Sequence, residues 1–178
     1  MPRRNYLASA LFSDLEPNAV SPISAPHNVV YDILLAEDNL INQKLAAKIL
    51  EKYGHTVVIA ENGSLAVEAF KARVQVNKPF DIILMDVSMP VMGGLEATEL
   101  IRAYEMHKGL LRTPIIALTA HAMIGDRERC LQAGMDDHIA KPLRPGELLN
   151  SINTLVSWRA QLAMRHYLHY MPPALTAP

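Results

Sequence analysis

The amino-acid sequence predicts an α/β chain with an open, doubly wound parallel sheet of five strands and helices on both faces. Three observations carry this. Short apolar, β-branched runs alternate five times with stretches of helical period. The runs are continuously apolar, as in strands buried on both faces. The five units also fit in about 125 residues, too few for a closed eight-stranded barrel.

Residues 1–31 hold Pro2, Pro17, Pro22 and Pro26 among small and polar residues without a sustained period, and read as a disordered extension or linker. The folded domain is expected over 32–158, followed by a tail, 159–178, that is helical at first. The first unit joins a strand at Ile33–Ala36 to a helix in which Ile41, Leu45, Ile49 and Tyr53 recur at i+4 until Gly54 ends it. The second joins His55–Ala60 to a helix capped by Asn62, with Leu65, Ala66, Ala69 and Phe70 inward. Strands at Asp81–Met85 and Pro114–Leu118 precede helices through Leu95–Tyr104 and down to Ala133. The last strand, His138–Ala140, precedes a helix from Pro145 that turns Leu148, Leu149, Ile152, Leu155 and Val156 inward. Its pattern continues toward Leu162 and Tyr167, until Pro172-Pro173 stops it. Right-handed crossovers then favour the flavodoxin-like order 2-1-3-4-5.

Composition excludes several functions. The 178 residues carry 17 basic and 18 acidic side chains, so no long-range field points to nucleic acid or a membrane surface. No apolar run approaches the roughly 20 residues of a membrane span. The greasy patch Tyr6–Phe12 is soon followed by Asp14 and Glu16, which counts against a secretory signal. Cys130, the single cysteine, cannot form an internal disulfide, so a reducing compartment is the default, cytoplasm first and nucleus second.

In open parallel sheets the ligand site lies beyond the carboxyl ends of the strands. Glu37 and Asp38 follow the first strand, Asp86 the third, Thr119 the fourth and Lys141-Pro142 the fifth. Taken singly, each is an ordinary capping or turn residue. Together they place three carboxylates where only a cation relieves their repulsion. Mg²⁺ suits oxygen ligands, takes one or two carboxylates directly and keeps water elsewhere, leaving a position for a phosphoryl oxygen. Lys141 then offers a point charge and Thr119 a hydroxyl to that group. Asp86, on the central strand, is the candidate nucleophile, as in enzymes that form aspartyl-phosphates.

With those residues in place, the chain resembles the receiver domain of two-component and phosphorelay response regulators over about Asp32 to Val156. LLAEDN (Leu34 to Asn39), ILMDVSMPVMGG (Ile83 to Gly94), PIIALTAHA (Pro114 to Ala122) and GMDDHIAKP (Gly134 to Pro142) carry the likeness. The wording LLAEDNLINQKLAAKILEKYGH is similar to the C-terminal receiver of fungal osmosensing-type hybrid histidine kinases. The resemblance implies that Asp86 accepts a phosphoryl group from a phosphohistidine donor. It implies direct Mg²⁺ binding by Asp38, Asp86 and the backbone carbonyl of Ser88, with Glu37 acting through water. Thr119 and Lys141 become the switch pair, and Lys141-Pro142 a cis peptide. His138 stands where the family most often has Tyr or Phe, and is either a tolerated surface variant or a titratable element of switching.

Partners implied are a histidine kinase or a histidine phosphotransfer protein, with a phosphorylation-linked dimer compatible with the family. A glycine-rich nucleotide loop and an H-E-x-x-x-P histidine context are absent from the sequence, so no kinase core and no enzyme beyond self-dephosphorylation is expected. Two alternatives are a Mg²⁺-dependent phosphohydrolase using an aspartyl-phosphate and a receiver-like binding module that is not phosphorylated. Ser88 stands where dehalogenase-like hydrolases want a second acid, and the intact acidic set argues against the binding module.

Overall fold

A computed structural model describes residues 29–120 and 124–170 of the chain. Five strands, β1 (Asp32–Ala36), β2 (Thr56–Ala60), β3 (Ile82–Asp86), β4 (Ile115–Thr119) and β5 (Asp137–Ala140), form one sheet. They alternate with α1 (Leu40–Lys52), α2 (Gly63–Gln75), α3 (Gly94–Lys108), α4 (Ile124–Ala133) and α5 (Pro145–Tyr170). All pairings are parallel and the order is β2-β1-β3-β4-β5, as the alternation predicts.

The sheet divides the core into two apolar layers. Leu34, Ile83, Met85, Ile115 and Ala117 pack on one face with Phe70, Ile101 and Cys130. Ile33, Leu35, Ile82, Leu84, Ile116 and Leu118 pack on the other with Leu50, Leu148 and Ile152. Every residue of β3 is buried, and each large side chain there contributes about 1.5–3 kcal/mol relative to exposure. The central strand, like β4, is therefore a fully buried platform for a functional group at its end.

Two helices turn differently from the stripes expected. In α1, Ile41 is 77% and Leu45 43% exposed, whereas Gln43, Ala46, Ile49 and Leu50 are buried. The reason is polar: Gln43 Nε2 donates to the Glu37 carbonyl at 2.6 Å, which fixes the helix with Gln43 inward. In α2, Leu65 lies outward and Val67 is buried beside Ala66 and Phe70. Asn62 caps α2 as expected, accepting from the Leu65 N–H at 3.0 Å. Helix α5 continues through residue 158 to Tyr170, so the expected boundary between domain and tail falls inside a helix. The extension at 1–28 and the Pro172-Pro173 stop lie outside the described residues.

At the amino ends of the strands, a buried ion cluster ties loops together. Arg102 of α3 donates to the carbonyls of Gly134 (2.9 Å) and Thr113 (2.8 Å) and to Glu105 (2.7 Å) and Asp136 (2.9 Å). Glu105, 3% exposed, also accepts from the Thr113 N–H at 2.6 Å. This arrangement satisfies every charge it buries, the condition under which buried ions are tolerated.

Candidate functional site

Glu37 directly follows β1, and its backbone N–H donates to the Ala60 carbonyl at 3.0 Å, extending the pairing with β2 by one bond. Its side chain is held by the start of α1. Asn39 caps that helix, accepting from the N–H groups of Ile41 and Asn42. Asn39 N–H and Asn42 Nδ2 both donate to Glu37 Oε1, at 3.2 and 3.0 Å. Asp38, by contrast, is exposed.

Asp86 is the last residue of β3 rather than the first of a loop. Its register partner is Leu118, and the next N–H, of Val87, donates to the Leu118 carbonyl at 3.1 Å. Ser88 N–H donates to Asp86 Oδ1 at 3.1 Å. The turn is locked from behind by α3: Gly94 N–H donates to the Val87 carbonyl, and Thr98 Oγ1 donates to the Gly94 carbonyl. Gly94 lies against the backbone of Asp86 so closely that a Cβ there would overlap the Asp86 carbonyl oxygen. Between them, Val91 adopts φ +67°. This is a left-handed conformation that costs a β-branched residue on the order of 1–3 kcal/mol, retained because the Gly63 N–H holds the Met92 carbonyl.

Thr119 ends β4 and is buried. The Lys141 N–H donates to the Thr119 carbonyl at 2.8 Å, fixing the chain just past β5, and Lys141-Pro142 is cis, as expected. The Lys141 ammonium then reaches across the sheet ends, donating to Asp86 Oδ2 at 2.6 Å and lying 2.6 Å from Glu37 Oε2. Burial pushes the Asp86 carboxyl above its ordinary value; the bonds from Lys141 and Ser88 pull the other way, and nearby Glu37 adds to the rise. For Lys141, burial alone would lower the pKa, but the bonds to Asp86 and Glu37 together outweigh it and the net direction is up.

Ligand atoms of Glu37, Asp38 and Asp86 lie within 4.8 Å of one another. Three carboxylates against one ammonium leave the cluster formally two charges negative. An all-oxygen donor set with that surplus fits a hard divalent cation such as Mg²⁺. A hollow of about 390 Å³ opens over Ser88, Thr119 and Ala120, with Asp126 and Arg129 at its rim. It exceeds the roughly 30 Å³ of a water molecule many times over, so it admits a phosphoryl group with its solvent.

The structure thus brings together Glu37, Asp38, Asp86 and Lys141, with Thr119 on the neighbouring strand end. His138 stands apart from them. It lies on β5 opposite Ala117, and its Nδ1 is 3.9 Å from Asp137 Oδ1. Sequence reasoning missed Asn39, Asn42 and Gln43, which position Glu37. The spacing of a helix cap directly after two acids was the available signal.

A family model for the response regulator receiver domain matches residues 33–153. Hybrid signal transduction histidine kinase I of Dictyostelium discoideum is 42% identical over 134 residues, 75% of this chain and 8% of that kinase. The chain thus spans a small fraction of the length of that relative. The receiver domain of a sensor histidine kinase from Pseudomonas aeruginosa, with magnesium coordinated in its active-site cleft, is 41% identical. It covers 72% of this chain and 99% of its own, with a TM-score of 0.63. The receiver domain of Ssk1 from Saccharomyces cerevisiae, in complex with the histidine phosphotransfer protein Ypd1, is 30% identical. There the cover is 69% of this chain and 86% of that one, at a TM-score of 0.62. The strand order, the acidic cluster beneath Lys141 and a family match over more than half the residues agree, and this chain belongs to the response regulator receiver family.

Proposed function

We propose that this domain is a phosphorelay switch whose acceptor is Asp86. The observation that carries the reading is the junction at the sheet's carboxyl edge, where Lys141 bridges Asp86 and Glu37 at 2.6 Å each. In the proposed step an Asp86 carboxylate oxygen bonds to phosphorus while the phosphorus–nitrogen bond to a donor imidazole breaks. The imidazole leaves with the electron pair. Glu37, Asp38, Asp86 and the backbone carbonyl of Ser88 are the groups that would hold Mg²⁺, which when bound offsets charge on the phosphoryl oxygens. Before transfer, Lys141 keeps one Asp86 oxygen engaged and the Ser88 N–H keeps the other, so the carboxylate is aimed. Afterwards, Lys141 and Thr119 receive the phosphoryl oxygens, which bring roughly 1.5 to 2 negative charges at pH 7. Movement of Thr119 and of the Lys141 segment then biases the surface around α4 and β5.

A donor protein is needed, and the rim of the site offers it a landing. Leu40 (62% exposed), Ile41 and Leu45 of α1 present apolar surface. Leu45 also lines a hollow with Asn42, Lys141, Pro142 and Leu143. A histidine phosphotransfer protein or kinase domain packing there would bring its imidazole over Asp86. Self-dephosphorylation by water, rather than turnover of a small substrate, is the only reaction assigned to the domain itself.

The test is incubation with acetyl phosphate and Mg²⁺. A single acid-stable, hydroxylamine-labile phosphoryl group per chain is expected, absent from Asp86→Asn. A modification that survives in Asp86→Asn, or many turnovers of a small phosphoester, would overturn the reading.

A further inference from the structure

The end of the sheet opposite Asp86 carries a guanidinium that the phosphoryl chemistry does not use. Arg159 of α5 reaches the start of β3, where its Nη1 donates to the carbonyls of Phe80 (3.2 Å) and Asp81 (3.4 Å). The remaining N–H groups, on Nε and Nη2, have no acceptor among the described residues. Nor are they sealed in, since the one enclosed side-chain nitrogen or oxygen without a partner among the described residues is Arg73 Nε. The Nε–Nη2 edge of Arg159 is an open fork.

No carboxylate among the described residues pairs with it. Burial lowers its pKa, and Asp81 and Glu105 are the acids that act against this. Both are engaged elsewhere: Asp81 Oδ2 accepts from the Asp32 N–H at 2.8 Å, and Glu105 from Arg102 at 2.7 Å and the Thr113 N–H at 2.6 Å. A half-buried cation in this position is stabilised by an incoming anion.

Arg159 stands in the wall of two hollows, of about 140 and 270 Å³. In the smaller one Arg112 and Asp136 pair with each other at 3.0 Å, so their charges already balance. In the larger, Arg159 is the one charged residue, and Phe70, Val74, Pro79, Leu110 and Leu111 supply an apolar wall. An apolar lining with a few placed polar groups is the usual make-up of a small-molecule site. A cavity of about 150 Å³ takes a benzene ring, so the larger hollow has room for one ring and a carboxylate. One guanidinium balances one negative charge, and its planar edge matches the two oxygens of a carboxylate. A phosphate dianion would remain half uncompensated.

We propose that the larger hollow binds a small organic monocarboxylate with a single-ring or branched apolar body, its carboxylate held on the Nε–Nη2 edge of Arg159. The site is separate from the acceptor and does not rest on the phosphorelay reading.

The probe is benzoate, titrated into the full-length chain with amide NMR signals as the readout. Signals of Asn77 and of Gly109, Leu110 and Leu111, all in the wall, should shift saturably with a midpoint of about 1 mM, the scale open to a ligand of this size. Benzamide, of the same shape without the charge, should bind at least about tenfold more weakly. Arg159→Lys keeps the charge but loses the fork, and should weaken benzoate about tenfold. Leu110→Trp is the second variant, for use where Arg159→Lys does not fold: Leu110 is 38% exposed between α3 and β4, and the larger side chain narrows the hollow and should abolish the shifts. Asp86→Asn should bind benzoate like the unaltered chain, which separates this site from the phosphoryl chemistry. Equal binding of benzamide and benzoate, undiminished binding in Arg159→Lys or Leu110→Trp, or no saturable shift at about twenty times the expected midpoint would overturn the proposal.

Discussion

Replacing Gly94 with alanine tests whether α3 fixes the acceptor carboxylate. A Cβ at this position would lie 2.9 Å from the carbonyl carbon of Asp86 and 2.9 Å from Met85 Cγ, besides overlapping the Asp86 oxygen. Carbon atoms pack favourably at about 3.5–4.0 Å, and the carbonyl oxygen is nearer still, so the start of α3 and the end of β3 must separate by about 1 Å or more. Met85 can yield by rotating, but the Asp86 backbone cannot, because its neighbours are tied to Leu118 and to Gly94 itself. Overpacking of this kind costs about 1–3 kcal/mol. Misplacement of a reacting group by about 1 Å costs on the order of 10²-fold in rate. The expected outcome for Gly94→Ala is therefore a lower urea midpoint and phosphorylation by acetyl phosphate slowed on that scale, measured under single-turnover conditions. Gly109→Ala is the control. Gly109 has φ +64° with nothing near its missing Cβ, so the variant should lose about 1 kcal/mol through backbone strain alone and phosphorylate normally. If Gly94→Ala phosphorylates within threefold of the unaltered chain, the claim that this close approach positions Asp86 is wrong.

Lys141→Ala removes the one ammonium between two carboxylates, leaving Glu37, 1% exposed, beside Asp86. A stability loss of about 3 kcal/mol is expected in EDTA and a smaller one in Mg²⁺, read from urea unfolding; equal losses would show that the cation does not occupy the cluster. Burial lowers the pKa of His55, which stacks on Tyr31 and accepts its N–H at Nδ1. The unfolded chain therefore takes up the proton first, so this contribution is complete above about pH 6.5 and declines as pH falls below it. The gap in stability between the unaltered chain and His55→Gln should narrow from pH 7.5 to 5; a constant gap would refute it. Arg102→Leu leaves the buried Glu105 without its cation, while Asp136 keeps Arg112, and should cost about 3 kcal/mol in the same assay while leaving the chemistry of the distant Asp86 intact.

The sheet and most of the site were legible because strand burial and the rule for ligand sites in parallel sheets act on contiguous residues. Five apolar runs announced five strands, and the groups at their ends assembled as the order 2-1-3-4-5 requires. Asn62 was recognisable because a cap is a local event. What escaped was governed by contacts across the chain. Periodicity in α1 pointed to Ile41 and Leu45, but a bond from Gln43 to the Glu37 carbonyl set the rotation and left those leucine and isoleucine side chains outside. The Arg102 cluster joins residues up to 34 positions apart, and no pattern in the sequence distinguishes its members from surface charges. His138 was visible as a departure from the family, and its place on β5 beside Asp137 gives it no bond to the acidic cluster among the described residues.

Helix α5 sets a length scale for whatever is attached beyond it. Its 26 residues extend about 39 Å at the rise of an α-helix, while a five-residue strand spans about 17 Å. The eleven residues after Arg159 therefore make a helical strut of about 16 Å beyond the anchor of Arg159 on the Phe80 and Asp81 carbonyls. The first strand begins at the same end, so a tether at either side of the domain leaves Asp86 facing outward. For a neighbour joined beyond the strut, the helix fixes the first part of the path, and its local concentration at the acceptor depends on that arm as well as on the length of whatever follows it. Inserting a helix-breaking proline after Arg159 would convert the arm to a hinge without touching the acceptor.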